Sequence, residues 1–311
     1  LQAFYSKYFT KKKSLNIYHA GVPYYHLMLL PGIILLLIFS IAPMFGIVMA
    51  FQDYIPAKGI LGSEWIGLGH FHNMLRIPDS KQIFFNTVII AFAKIIGGMV
   101  VPIFFALLLN EARVRWFKSA VQTIVYLPNF LSWVVLGTVM TMVFSYDGMI
   151  NHLLAFFQLK PVMFLASNKW FRPILVGTDI WKGYGYSTII YLAALTSINP
   201  DLYESAALDG ANRFRQIWHI SIPGILPTIL LLATLNLGNI LNAGFDQIFN
   251  MYNPVVYKTG DIIDTYVYRM GLVNMQFSFG TAVGLLKSIV SGMLIVFAYK
   301  LADKFAGYKI F

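Results

Sequence analysis

Six stretches of this chain are each long and apolar enough to cross a lipid bilayer, and that pattern restricts its fold more than any other feature. A helix rises ~1.5 Å per residue, so about 20 apolar residues cross a hydrocarbon core of ~30 Å. The runs are residues 24–50, 83–110, 119–145, 173–197, 223–243 and 277–301. The second is interrupted by Lys94, the fourth by Asp179 and Lys182, and the sixth by Lys287 and Lys300. A seventh apolar stretch, 149–159, is too short to cross and reads as interfacial or re-entrant. Of 311 residues, 58% are hydrophobic and 12% charged, the latter about half the usual share for a soluble domain. A water-soluble fold of this size has no room to bury so much apolar surface. The expectation is therefore an all-α integral membrane protein with six transmembrane helices.

Charge sets its orientation. With six spans both termini share a side, and that side carries 12 basic against 5 acidic residues, while the opposite loops carry 8 against 7. The positive-inside rule then predicts an N-in, C-in topology. The net charge of +10 is dispersed between apolar runs rather than gathered on a soluble face, which argues against nucleic acid as a partner. The chain contains no cysteine, so disulfides and thiolate metal sites are excluded. Lys11, Lys12 and Lys13 lead into an apolar run too long for a cleavable signal peptide. No linker divides the sequence, so residues 1–311 read as one membrane domain, with a basic N-terminal arm over 1–22 that includes Lys7.

The loop between the fourth and fifth runs, 199–222, is the most informative segment. Asn199 suits an N-cap and Pro200 the first helical position, and Asp201 and Glu204 complement the positive helix start. Asp209-Gly210 breaks that helix. A second short helix is expected from about Ala211 to Ile220, ending before Pro223. Two helices meeting at a glycine make a knob outside the membrane. Its apolar groups Leu202, Tyr203, Phe214, Ile217 and Trp218 need a cover, either a soluble partner or the ends of the protein's own spans.

The run Glu204-Ser205-Ala206-Ala207-Leu208-Asp209-Gly210-Ala211, followed by Ile220-Ser221-Ile222-Pro223-Gly224-Ile225-Leu226-Pro227, resembles the EAA signature of binding-protein-dependent ATP-binding-cassette permeases. Ser205 departs from the family, which has alanine there. Trp65-Ile66-Gly67-Leu68, Phe71 and Asn86-Thr87 resemble maltose-type sugar permeases. Asp264 to Arg269, Gly271-Leu272 and Thr281 to Leu285 resemble the polysaccharide-type branch. The resemblance implies a multi-pass permease of the bacterial cytoplasmic (inner) membrane. Its implied partners are a second homologous permease, two cytoplasmic ATP-binding-cassette subunits and an extracytoplasmic solute-binding protein. It further implies alternating access, with Tyr203, Glu204, Ala206, Ala207, Asp209 and Gly210 coupling the spans to an ATPase. The sequence has no G-x-x-x-x-G-K-[ST] loop, so ATP and Mg belong to the partner subunits and no cofactor to this chain.

Polar groups inside the membrane are costly and nominate a solute path. Asp179 and Lys182, spaced i, i+3, can face one way as a self-compensating pair or as a site. Trp181, Tyr184 and Tyr186 can stack on sugar rings or serve helix packing. Asn236, Asn239 and Asn242 fall within roughly 120° of helix circumference and can bind solute hydroxyls or a partner helix. Lys94 and Lys287 can be paired or can attract an anion. Three basic groups against one acid suit an acidic chain such as alginate, with a neutral sugar as the competing reading. An ion-coupled secondary sugar transporter is the rival class. It needs coupling carboxylates in broken helices, for which Asp179 is the sole candidate within the runs.

Overall fold

The computed structural model describes residues 24–306, and the basic arm over 1–22 lies outside the described residues. The first apolar run forms α1, Tyr24–Phe51. A two-residue antiparallel ladder follows, β1 Gln52–Asp53 with β2 Glu64–Trp65, in the register Gln52 to Trp65 and Asp53 to Glu64. This ladder departs from a purely helical fold. The short helix α2, Gly69–Arg76, leads into α3, Pro78–Glu111. Next come α4, Arg115–Phe130, and α5, Trp133–Val143, then α6, Met149–Phe156. Helix α7 covers Phe171–Thr196 and α8 covers Pro200–Leu208. Helix α9, Arg213–Leu237, is followed by α10, Phe245–Met251, by α11, Ile263–Val267, and by α12, Phe277–Ala306.

Four of these helices, α1, α3, α9 and α12, are long and apolar enough to span a bilayer, and a fifth span results if α4 and α5 count as one. The third run is not a straight span: α4 and α5 meet at 103°. Pro128 sits in a tight 3₁₀ turn there, Leu131 is extended, and Ser132 caps the new helix by accepting from the Val135 amide at 3.4 Å. The fourth run does form a helix of 26 residues, but Arg172, Asp179 and Lys182, with its glycines and tyrosines, leave it less apolar than the other four.

Helices α3 and α7 form the main pair, and they run in the same direction. Arg172 at the start of α7 bonds Asn86 near the start of α3, while Tyr191 and Leu195 near its end pack with Ala106 near the end of α3. Glycines allow close approach: a Cβ on Gly97 would lie 2.1 Å from Ile180, and one on Gly185 would lie 2.2 Å from the Val125 carbonyl oxygen of α4. Helix α9 returns antiparallel, with Ile225 in the Ala106–Leu195 cluster. Helix α12 starts beside the start of α3, where Phe279 and Val283 pack on Ile83 and Tyr266. The last turns of α1, Phe45–Phe51, pack against α12, but only 6% of its most apolar stretch is buried in this chain. Its exposed leucines and isoleucines need lipid or another subunit.

Candidate functional site

The loop helix α8 is fixed at both ends. The Asn199 side chain accepts from the Asp201 amide at 3.1 Å, and Pro200 occupies the first turn. At the other end the Ala211 amide donates to the Ala206 carbonyl at 2.9 Å and the Gly210 amide to the Ala207 carbonyl at 3.1 Å. Gly210 has φ +77°, so this is a Schellman ending, with glycine where other residues resist the left-handed backbone. The chain then restarts on Asn212, whose side chain accepts from the Arg215 amide at 2.9 Å. The Tyr203 hydroxyl bonds the buried Ser221 hydroxyl at 3.0 Å and pins the two arms of this elbow together.

The second arm does not end before Pro223. It continues without a break into α9 through a wide π turn, Ile217–Ser221, in which the Ile222 amide bonds the Ile217 carbonyl five residues back. Proline lacks an amide hydrogen and its ring crowds the carbonyl four residues before it, and the wider turn relieves that clash. Helix α1 uses the same device at Leu37–Ile41, just before Pro43. The elbow is therefore the end of a membrane helix rather than a separate knob. Leu202, Leu208, Phe214 and Trp218 stand exposed on it, as do Glu204, Ala207 and Asp209, while Ala206 is half-buried. Glu204 makes no ion pair among the described residues; Arg213 reaches Glu111 at 3.6 Å.

A polar cavity of about 280 Å³ lies between α3, α7 and the end of α9, lined by Lys94, Asp179, Tyr184, Asn236, Asn239 and Asn242 among others. Buried Lys94 donates to the Ala243 carbonyl at 2.8 Å and to the Gln247 side-chain oxygen, and pairs with Asp179 at 3.2 Å. The ammonium has three donors, and all three are used. Gln247 in turn donates to the Leu175 carbonyl and the Thr178 hydroxyl, each at 2.8 Å. Asp179 remains about one-third exposed toward the cavity. The pair expected between Asp179 and Lys182 does not form. Lys182 instead donates to the Asn129 carbonyl at 2.9 Å and lies 5.7 Å from the Trp133 ring, holding the bend between α4 and α5. Asp179 is taken by the more deeply buried cation, whose unpaired charge would cost more.

The three asparagines do meet, by a different device from one helix face. Helix α9 stops at Leu237, and tight turns follow in which the Asn239 amide bonds Asn236 at 2.9 Å and the Asn242 amide bonds Asn239 at 2.8 Å. A three-residue step stacks them along the cavity. Tyr184 joins them, edge-on to Phe105 at 5.1 Å. Trp181 and Tyr186 do not line this cavity: Trp181 faces a groove with Phe144 and Trp170, and Tyr186 is half-exposed. Lys287 is elsewhere too, bonded to Asp264. No charge excess remains at Lys94 or Lys287 once both are paired. Gln247 was not singled out in the sequence, because its role depends on Gly244 (φ +91°) turning the chain back toward Lys94.

The segment between α9 and α12 is not a simple surface loop. Lys287 lies ten residues into α12, about 15 Å along its axis, so its bond to Asp264 places that segment well inside the bundle. The segment is clamped to α3, where the Asn86 side chain donates to the Asp261 carbonyl at 3.0 Å and the Ile263 amide donates to the Thr87 hydroxyl at 2.9 Å. Arg269 pairs with buried Asp261 and covers the Tyr257 ring at 4.3 Å. Two blocks far apart in sequence, Asn86-Thr87 and residues 264–269, thus belong to one clasp.

Residues 103–306 match the family described as binding-protein-dependent transport system inner membrane component. The polygalacturonan/rhamnogalacturonan transport system permease protein YteP of Bacillus subtilis (strain 168) is 44% identical, over 97% of this chain and 94% of its own. Protein LplB of the same organism is 41% identical over 90% of this chain and 88% of its own. A crystal structure of a bacterial ABC transporter involved in the import of the acidic polysaccharide alginate superposes with a TM-score of 0.85 at 38% identity, covering 94% of this chain and 99% of that one. A second, of a bacterial alginate ABC transporter in complex with an alginate pentasaccharide-bound periplasmic protein, gives 0.85 at 38% identity, with 95% and 98% covered.

Proposed function

The chain belongs to the family of binding-protein-dependent transport system inner membrane components, and on that footing we propose that it is one permease half of an ATP-driven importer of saccharide chains. The observation that carries this reading is the braced elbow of α8, continuous with α9 and tipped with exposed apolar groups. An element that transmits force must be stiff and must offer a grip. This one is capped at both ends, cross-tied by Tyr203 to Ser221, and bare on the surface that carries Ala207, Leu208 and Phe214. A soluble ATPase docking there moves α9 directly, and α9 ends in the asparagines of the polar cavity.

The chain crosses the bacterial inner membrane six times, with both termini and the elbow on the cytoplasmic side. A second permease covers the exposed face of α1 and the open cavity. Two ATPase subunits hold ATP and Mg, and an extracytoplasmic binding protein delivers the solute. Acidic saccharides are the favoured cargo, because YteP and the alginate importers are named for polymers of that kind. The intramembrane lysines no longer support that choice, since Asp179 and Asp264 neutralise two of them. Hydroxyl recognition by Asn236, Asn239, Asn242 and Tyr184 serves acidic and neutral chains alike.

The test is uptake by proteoliposomes holding the full importer and its binding protein. Import of oligogalacturonides that requires internal ATP and persists without ion gradients is the expected result. Import that follows an ion gradient and ignores ATP would move the chain to the secondary-transporter class.

A further inference from the structure

The apolar stretch 149–159, too short to cross a bilayer, is the tip of a hook between α5 and α7 that leaves the bundle and returns to it at the same end. Gly148 turns the hook back tightly, since a Cβ there would lie 2.4 Å from the Met142 carbonyl oxygen at the end of α5. The buried Asn151 side chain staples it shut. It donates to the Ser145 carbonyl at 3.0 Å and the Val162 carbonyl at 2.9 Å, and accepts from the Val162 amide at 2.9 Å. On one face of α6, Ile150 and Leu154 pack on the core cluster that holds Phe171 and Ile174. On the other, Met149, Leu153 and Phe156 fall at i, i+4 and i+7 and stand exposed, Phe156 to 80%. Phe157, Leu159 and Met163 extend this bare ridge. The elbow lies at the opposite end of α7, whose 26 residues put about 39 Å between them.

We propose that the hook is an interfacial anchor, lying in the membrane surface across the bilayer from the elbow with its ridge buried among phospholipid acyl chains. The inference goes beyond the importer reading and is independent of the solute carried. Charge fits a lipid partner. No acidic residue occurs between Asp147 and Asp179, while Lys160 and Lys169 are exposed and able to meet lipid phosphates. The Lys169 ammonium lies 5.9 Å from the exposed Trp170 ring, a cation beside an indole of the kind that gathers at the headgroup level. A soluble binding protein that docks and leaves would return the ridge to water in every cycle, whereas lipid covers it permanently. Protein interfaces also carry polar contacts, and the ridge side chains offer no strong donor or acceptor. Anchored in this way, the outer end of α7 is held at fixed depth while its other end leads into the elbow.

The experiment uses the full importer in vesicles of phosphatidylethanolamine and phosphatidylglycerol. Leu153→Cys, Phe156→Cys and, as a reference outside the ridge, Leu61→Cys each carry one nitroxide on a chain with no other cysteine. Oxygen concentrates among acyl chains, and a nickel chelate stays in water. The expected result is that oxygen relaxes the labels at 153 and 156 roughly threefold more than the chelate does, as for an interfacial helix, with the reverse at 61. Addition of the binding protein should change neither ridge position. A stronger chelate effect at 153 and 156 would overturn the anchor. So would shielding of both labels from both reagents, which identifies a contact with another subunit, or shielding that arises only with the binding protein. None of these outcomes touches the importer reading, which is tested by ATP-driven uptake.

Discussion

Lys94 shows how a charge is tolerated in the middle of this protein. It is 8% exposed, and its three donors meet a backbone carbonyl, an amide oxygen and a carboxylate. Removing the carboxylate from such a pair leaves the buried ammonium uncompensated, at a cost of about 3–5 kcal/mol. Asp179→Asn is therefore expected to lower the thermal stability of the detergent-solubilised importer strongly. Lys94→Met with Asp179→Asn should recover part of the loss, because the orphaned ammonium is gone. Additive losses in that double-mutant cycle would show that the two residues do not act as a pair. The wrong pairing read from the sequence, Asp179 with Lys182, has a simple origin. Spacing along one helix shows which side chains can meet, but not which partner on another helix needs the charge more. That need depends on burial, and burial of Lys94 requires the turn at Gly244, which brings the Ala243 carbonyl and Gln247 onto it.

At the scale of elements, the elbow makes the sharpest demands on its residues. Proline fixes φ near about −65°, whereas Gly210 sits at +77°. Gly210→Pro should dismantle the Schellman ending and uncouple transport from ATP hydrolysis while the protein still inserts in the membrane. Glu204→Ala should insert and assemble normally and, on the proposed docking, lose coupling, because Glu204 is exposed and makes no ion pair among the described residues. Unchanged uptake per ATP hydrolysed in both variants would remove the elbow from the coupling path. Lys287→Met should free the clasp segment from α12, and faster proteolysis between residues 257 and 275 would report it. Much of the elbow was legible in the sequence. Asn199, Pro200, Asp209 and Gly210 act locally, so cap and break appear where local chemistry puts them. The continuity through Pro223 was not legible. Proline ordinarily ends a helix, and its tolerance here depends on a π turn that no spacing rule encodes. The bend at Leu131 is hard to see in the sequence for a related reason. Apolar content alone joined residues 119–145, although Pro128 and Ser132 mark the break.

At the scale of the whole molecule, the chain has the surface of a subunit rather than a complete bundle. The most apolar stretch of α1 is almost bare, the polar cavity holds unpaired asparagine side chains, and the elbow carries exposed Leu208, Phe214 and Trp218. Those three surfaces match the three kinds of cover the proposed assembly supplies: lipid with a second permease, solute, and ATPase. Topology is testable directly, because the sequence has no cysteine to give background. A cysteine placed at Leu61, exposed beside the β ladder, should react with an impermeant thiol reagent from outside the cell, and one at Leu208 only after permeabilisation. The most direct test of the central claim is a single cysteine at Ala207 in the assembled importer, treated with a short thiol crosslinker. The account predicts a crosslink to the nucleotide-hydrolysing subunit whose yield changes when ATP binds. A product confined to this chain, or labelling of that cysteine from the outer surface, would contradict it.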